Sequence, residues 1–182
     1  MALLMKYAIN NKEFLRITST KKYTVQNYTW NNKNKLLFDY KYLISGKIGY
    51  TKLSGQVFVS SAIKDGKTLI IVSIDEPDKF NLHKSLYEKY FKMYDRYKVL
   101  DKNTFSFKIK TNDNDHYYIL NDFYMLLKKD EIDRVNIDII LSDYENCIKV
   151  NYDNKIIHKE KLYKMNYKDN INRLKHILLF SK

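Results

Sequence analysis

The chain has 182 residues and a mass of 22.0 kDa, 45% of them hydrophobic and 15% aromatic. That is enough apolar material for one ordinary domain or two small ones, and too much for a disordered chain. A single cysteine, Cys147, excludes internal disulfides and thiolate metal centres, and four glycines without a G-x-G-x-x-G or G-x-x-x-x-G-K run disfavour nucleotide-binding folds. The net charge of +12 comes almost wholly from lysine, 29 Lys against 4 Arg. Together with 17 Tyr and 18 Asn this follows AT-rich codon usage, so part of the charge says nothing about a ligand.

No metal or other cofactor is implied. No apolar run reaches the roughly 18 residues of a spanning helix. The start, MALLMKYAI, is too short and lacks a small-residue cleavage site for a signal peptide, so the chain as written has no visible export route.

In chain order, Ala2, Leu3, Leu4, Ala8 and Ile9 recur at helical spacing and predict a short opening helix that ends at Asn10-Asn11. Phe14 to Ile17 and Tyr23 to Tyr28 are rich in β-branched and aromatic residues and read as strands, followed by a polar turn over Asn31 to Lys35. Ile44 to Thr51, Gln56 to Ile63 and Thr68 to Ile74 predict an antiparallel meander, with Asp65-Gly66 as a two-residue hairpin turn. After Pro77, the spacing of Phe80, Leu82, Leu86, Tyr90 and Phe91 predicts a helix to about Tyr94.

The character changes near the middle of the chain. Residues 1–94 hold 16 basic and 7 acidic side chains, the remainder 17 and 14. Short segments at Thr104 to Lys110, His116 to Leu120, Asn136 to Leu141, Cys147 to Tyr152 and Lys155 to His158 predict a small all-β module, with Asp153-Asn154 as a hairpin turn and Phe123 to Leu127 open between strand and helix. Ile171 to Phe180 is amphipathic and suits docking on an apolar surface, a membrane surface included. The division expected is 1–96 and 97–182.

The run GKIGYTKLSGQVFVSSAIKDGKTLIIVSI, Gly46 to Ile74, resembles the region around the Lys-Thr-Gly motif of the serine-type D-alanyl-D-alanine carboxypeptidases, the low-molecular-mass penicillin-binding proteins. The resemblance is ordered and gapless over these residues. It extends upstream through MALLMKYAINNKEFLRITSTKKYTV and the loop Asn31 to Leu37, and more loosely into the β-rich second half. It implies an α+β fold: the C-terminal part of a penicillin-binding, β-lactamase-like transpeptidase domain, then a small β domain.

The resemblance also implies roles. Lys47 would add positive charge beside the nucleophile, Gly49 would let the substrate backbone approach, the Tyr50 N–H would be an oxyanion-hole donor, and Thr51 would hold the strand. Ile48 departs from the pattern, since the family has a Thr there whose hydroxyl binds the substrate carboxylate.

The family's nucleophile lies in Ser-x-x-Lys on a buried helix, upstream of the region matched. The chain is expected to begin too late to contain it. Ser19 to Lys22 and Ser61 to Lys64 satisfy the bare spacing, but both read as strand or hairpin, where residues three apart face opposite ways. No Ser-x-Asn occurs, and Tyr144 to Asn146 and Tyr152 to Asn154 read as turns. The chain alone is therefore expected to be inactive, a fragment or one half of a split enzyme paired with a separately encoded N-terminal half.

The partners implied are peptidoglycan stem peptides and β-lactams, and the place implied is the cell envelope, or the cytoplasm if the chain is made as written. A non-catalytic envelope-binding module built on the β domain is the alternative. The basic, aromatic first half also suits a nucleic-acid binder, but no such motif is present and no nucleic-acid partner is read. His83, His116, His158 and His176 lack ligand spacing, Cys147 reads as a small buried hydrophobe, and Asp130, Glu131 and Asp133 read as a solvated turn.

Overall fold

The computed structural model describes residues 1–109 and 116–165. The chain forms two compact units, Met1–Asp95 and Arg96–Lys182. The amphipathic segment Ile171 to Phe180 lies outside the described residues.

The first unit opens with α1 (Ala2–Ala8), whose one buried residue is Met5, and α2 (Lys12–Ser19). The strand expected over Phe14 to Ile17 is part of α2 instead. The Asn11 side chain accepts hydrogen bonds from the Glu13 and Phe14 amides at 2.9 and 3.1 Å, and Glu13 pairs with Arg16 one turn on, so capping outweighs the β-leaning composition.

The segment expected as one strand over Tyr23 to Tyr28 is a hairpin of β1 (Lys22–Val25) and β2 (Tyr28–Asn31), turning at Gln26 with φ of 52°. A single turn, α3 (Leu36–Asp39), then sinks Leu36 and Leu37 into the core.

The meander is present as β3 (Leu43–Thr51), β4 (Gly55–Lys64) and β5 (Lys67–Ile74), antiparallel in the order β3-β4-β5. Asp65 and Gly66 both have positive φ, the backbone a type I′ turn requires. One sheet face carries Phe58, Ser60 and Ala62 of β4 with Ser73, Ile71 and Leu69 opposite them on β5. Helix α4 (Lys79–Met93) covers that face with Lys79, His83, Tyr87 and Phe91, one every four residues. Leu36, Leu37, Tyr40, Leu43, Phe58, Ala62, Tyr87 and Phe91 form the core. On the opposite face α1 and α2 lie against the sheet, where Thr18 Oγ1 and Ser45 Oγ are 2.8 Å apart.

The second unit is β-rich, with β6 (Asp95–Leu100), β7 (Ser106–Lys108), β8 (His116–Tyr118), β9 (Phe123–Leu127), β10 (Val135–Leu141), β11 (Asn146–Tyr152), β12 (Lys155–Lys161) and β13 (Tyr163–Lys164). They form sheets in the orders β10-β11-β12, β13-β8-β7 and β6-β9. Asp153 and Asn154, with φ of 49° and 61°, turn β11 into β12, and Asp130, Glu131 and Asp133 lie in a 3-10 turn. Leu100, Tyr117, Ile119, Ile148, Val150 and Leu162 make the core. The chain is thus α+β, helices and antiparallel sheet in the first unit and mainly strands in the second. Among the described residues no helix is long and apolar enough to cross a membrane.

Candidate functional site

Strand β3 borders the sheet on one side, and pairing alternation decides what its outer edge offers. The Asp75 amide donates to the Gln56 carbonyl at 2.7 Å, so even-numbered residues of β4 bond to β5 and odd-numbered ones to β3. On β3, therefore, Ser45, Lys47, Gly49 and Thr51 bond inward. Gly46, Ile48 and Tyr50 turn their N–H and C=O groups to the open edge, and no backbone bond from another described segment reaches them.

Beside that edge lies a groove of about 450 Å³, walled by Ile17 and Thr18 of α2, by Asn32, Lys33 and Asn34 of the loop, and by Gly46 to Tyr50. Lys47 is exposed and its ammonium donates to the Ile48 carbonyl at 2.5 Å. A Cβ placed on Gly49 would meet nothing within 4 Å, so the fold does not need glycine there and the space above it is free for a ligand. Tyr50 is exposed, its side chain clear of the edge amide. Thr51 closes the turn to β4, its hydroxyl 2.6 Å from Ser54 Oγ and accepting from the Ser54 amide at 3.0 Å. Ile48 packs against the core cluster, which gives the family's missing Thr a replacement with a packing role.

Sequence reasoning missed Lys33 and Asn34. Lys33 brings a second cation to the groove wall. Asn34 is buried, and neither its Oδ1 nor its Nδ2 has a hydrogen-bond partner. A buried amide with both ends unpaired is costly. Its crowding explains Gly46, where a Cβ would stand 2.6 Å from Asn34 Nδ2 and 3.1 Å from Phe58 Cε2. The sign in the sequence was an Asn-x-Asn placed just before the buried pair Leu36-Leu37. Asn32 does the positioning, donating to the Thr20 carbonyl at 3.0 Å and accepting from the Asn34 amide at 3.0 Å.

Neither Ser19 nor Ser61, the serines of the bare Ser-x-x-Lys matches, is among the residues that wall this groove. Ser19 is the last residue of α2, not strand as expected, and its hydroxyl donates to the Arg16 carbonyl; Thr20 is already extended, so Lys22 is not on the same helical face. Ser61 is buried in β4 with an unpartnered hydroxyl and lies on the opposite sheet face from Lys64. Tyr144 is exposed in the second unit, and Cys147 is buried there. Among the described residues no group of three or more His, Cys, Asp or Glu is placed to hold a metal ion. His83 is buried on the sheet face that α4 covers, where burial pushes its imidazole down to about 4.

This architecture is that of a penicillin-binding transpeptidase domain in part, with a β-rich unit after it. Residues 1–78 match the family model of the D-alanyl-D-alanine carboxypeptidases. Among solved structures, penicillin-binding protein 5 from Haemophilus influenzae matches with a TM-score of 0.66 and 22% identity, over 91% of this chain and 54% of that one. Penicillin-binding protein 6B from Escherichia coli matches with a TM-score of 0.55 and 21% identity, over 89% and 47%. The D-alanyl-D-alanine carboxypeptidase DacD from Francisella tularensis matches with a TM-score of 0.51 and 17% identity, over 76% and 39%. The chain thus spans about half, or less, of the length of these structures. No curated protein matches it in sequence. The stretch matched by the family model, residues 1–78, contains Gly46 to Ile74, the run whose resemblance to the D-alanyl-D-alanine carboxypeptidases is read from the sequence.

Proposed function

We propose that residues 1–95 carry the substrate-cradling side of a D-alanyl-D-alanine carboxypeptidase site, and that the 182 residues alone do not turn substrate over. The observation that carries this reading is the open β3 edge facing a groove with two lysines and an unpaired buried amide. An extended peptide ending in D-Ala-D-Ala would pair with Gly46, Ile48 and Tyr50 as an added strand. Lys47 and Lys33 would attract its terminal carboxylate.

In the reaction, a serine oxygen bonds to the penultimate D-Ala carbonyl carbon, its proton passes to a base, and charge collects on the carbonyl oxygen. The Tyr50 N–H would stabilise that charge. The C–N bond then breaks, the proton goes to the departing D-Ala amine, and water cleaves the acyl ester. Neither Ser19 nor Ser61 stands where it could attack. The serine and its lysine base would come from a further polypeptide segment that completes the domain, and the setting would be the cell envelope.

The test is intact-mass spectrometry of the chain after incubation with penicillin, with a full-length relative labelled in parallel. The expected result is an adduct on the relative and none on this chain. An adduct abolished by Ser19→Ala or Ser61→Ala would overturn the inactivity. Calorimetric titration with a peptide ending in D-Ala-D-Ala tests the groove, and binding that Lys47→Ala leaves unchanged would sink the assignment of Lys47.

A further inference from the structure

The β1–β2 hairpin carries large rings that the fold does not bury. Register pairs Tyr23 with Trp30 and Val25 with Tyr28, so these four side chains share one face. Tyr23 is 58% exposed, Tyr28 65% and Trp30 54%. Their rings form a row, with Trp30 centred 6.5 Å from Tyr23 and 5.8 Å from Tyr28 and both pairs inclined by 29°. The opposite face, Lys22, Thr24, Thr29 and Asn31, is also exposed, so packing within the unit gives no reason for three aromatics here.

The hairpin is anchored to the groove. The Asn32 amide donates to the Lys21 carbonyl at 2.8 Å and its side chain to the Thr20 carbonyl, and Asn32, Lys33 and Asn34, the next residues after β2, are the groove wall. Charge is one-sided as well. Residues 14–38 hold Arg16, Lys21, Lys22, Lys33 and Lys35 and no acidic side chain.

We propose that this aromatic row is a saccharide platform, on which the sugar rings of a peptidoglycan strand stack while the acidic stem peptide lies toward the lysines and the groove; the peptide half of the statement rests on the function proposed above. A pyranose presents a flat C–H face that suits the electron-rich face of an aromatic ring, and the peptide's carboxylates complement the flanking lysines. A lipid surface is less well served, because Val25 is the one aliphatic side chain on this face and peripheral membrane elements insert several.

Trp30 is the only tryptophan of the chain, so its fluorescence reads the platform directly. The experiment titrates the full chain with a hexamer of N-acetylglucosamine, which carries neither peptide nor charge. We expect a saturable shift of Trp30 emission, weakened about fivefold or more by Tyr23→Ala with Tyr28→Ala, and unchanged by Tyr144→Ala. Since the hairpin rings are exposed, the double variant should keep the parent's melting temperature. No saturable shift overturns the proposal, as does a shift produced only by phosphatidylglycerol vesicles or only by an oligothymidylate. A peptide ending in D-Ala-D-Ala, titrated separately by calorimetry, keeps the two readings apart. Sugar binding without peptide binding sinks the groove and leaves the platform; peptide binding without sugar binding does the reverse.

Discussion

Ser60 Oγ lies 2.7 Å from His83 Nδ1 and 2.8 Å from Tyr87 OH, so one hydroxyl on β4 fastens two side chains a helical turn apart on α4. His83 Nε2 reaches Ser73 Oγ on β5 at 3.0 Å, and its ring stacks on Phe58 with centroids 4.5 Å apart. The helix is therefore pinned across two strands by a polar cluster within the core, in which the Ser60 hydroxyl can donate to one of its two partners and accept from the other. This cluster underlies the strand that carries the candidate site, because Phe58 and Ser60 pair with Ile48 and Gly46.

A pH dependence follows. Burial lowers His83 from its ordinary 6.5 to about 4 in the folded chain. Above pH 6.5 the imidazole is neutral in both folded and unfolded states, and stability is unaffected by this group. Between pH 6.5 and 4 the unfolded chain takes up a proton that the folded one resists, so stability falls as pH falls, by at most about 3 kcal/mol. Thermal melts of the parent and His83→Gln from pH 8 to 4.5 check it. The parent should lose more than the variant across this window, and parallel curves would refute the role of His83.

The C-terminal end of α4 has its own fastening. Lys67 is buried, and its ammonium donates to the carbonyls of Phe91 and Tyr94 at 2.7 and 2.8 Å, with Asp95 Oδ1 at 3.7 Å. A cation on the last carbonyls of a helix satisfies acceptors that have no partner within the helix. Lys67→Met should cost about 1–3 kcal/mol and speed amide exchange in the last turn of α4. Unchanged exchange there would show that the lysine is dispensable.

Elements with strong periodicity or a defined turn were legible in the sequence. Asp65-Gly66 set the β4–β5 hairpin, the recurrence of Phe80, Leu82, Leu86, Tyr90 and Phe91 every few residues set α4, though the buried stripe is Lys79, His83, Tyr87 and Phe91, and Asp153-Asn154 set the β11–β12 hairpin. Phe14 to Ile17 misled because composition was weighed without the Asn11 cap, and Tyr23 to Tyr28 because Gln26 is an unusual turn residue. Of the elements beside the groove, the strand over Gly46 to Thr51 was readable from the order of motifs. Lys33 and Asn34 were not, since their importance comes from a loop brought against β3, a contact between residues about a dozen positions apart that local pattern does not encode.

The two glycines of the motif strand should respond in opposite ways. Gly46→Ala forces a methyl group toward the buried Asn34 amide and the Phe58 ring, both enclosed, and should cost about 1–3 kcal/mol. Gly49→Ala meets open space and should leave the melting temperature nearly unchanged while crowding any peptide laid along β3. Melting by circular dichroism, paired with peptide calorimetry, separates the effects. A Gly49→Ala variant that binds peptide as well as the parent would place the ligand elsewhere.

The far side of the sheet makes the last prediction. By the alternation that opens the β3 edge, Thr68, Ile70, Val72 and Ile74 of β5 turn their backbone groups away from β4, and among the described residues no strand pairs with them. Leu69-Ile70-Ile71-Val72 is a continuous apolar run, the composition of a strand flanked and covered on both faces, and Ile74 is exposed. No proline, bulge or mid-strand charge protects this edge, so it is a template for another strand. Two copies can meet here antiparallel, Ile70 opposite Val72 of the second copy, about a twofold axis through Ile71. The purified chain should self-associate with rising concentration in sedimentation velocity, and Ile70→Lys should shift it toward monomer. A single monomeric species at all concentrations, melting in one cooperative step, would mean that the edge is already covered.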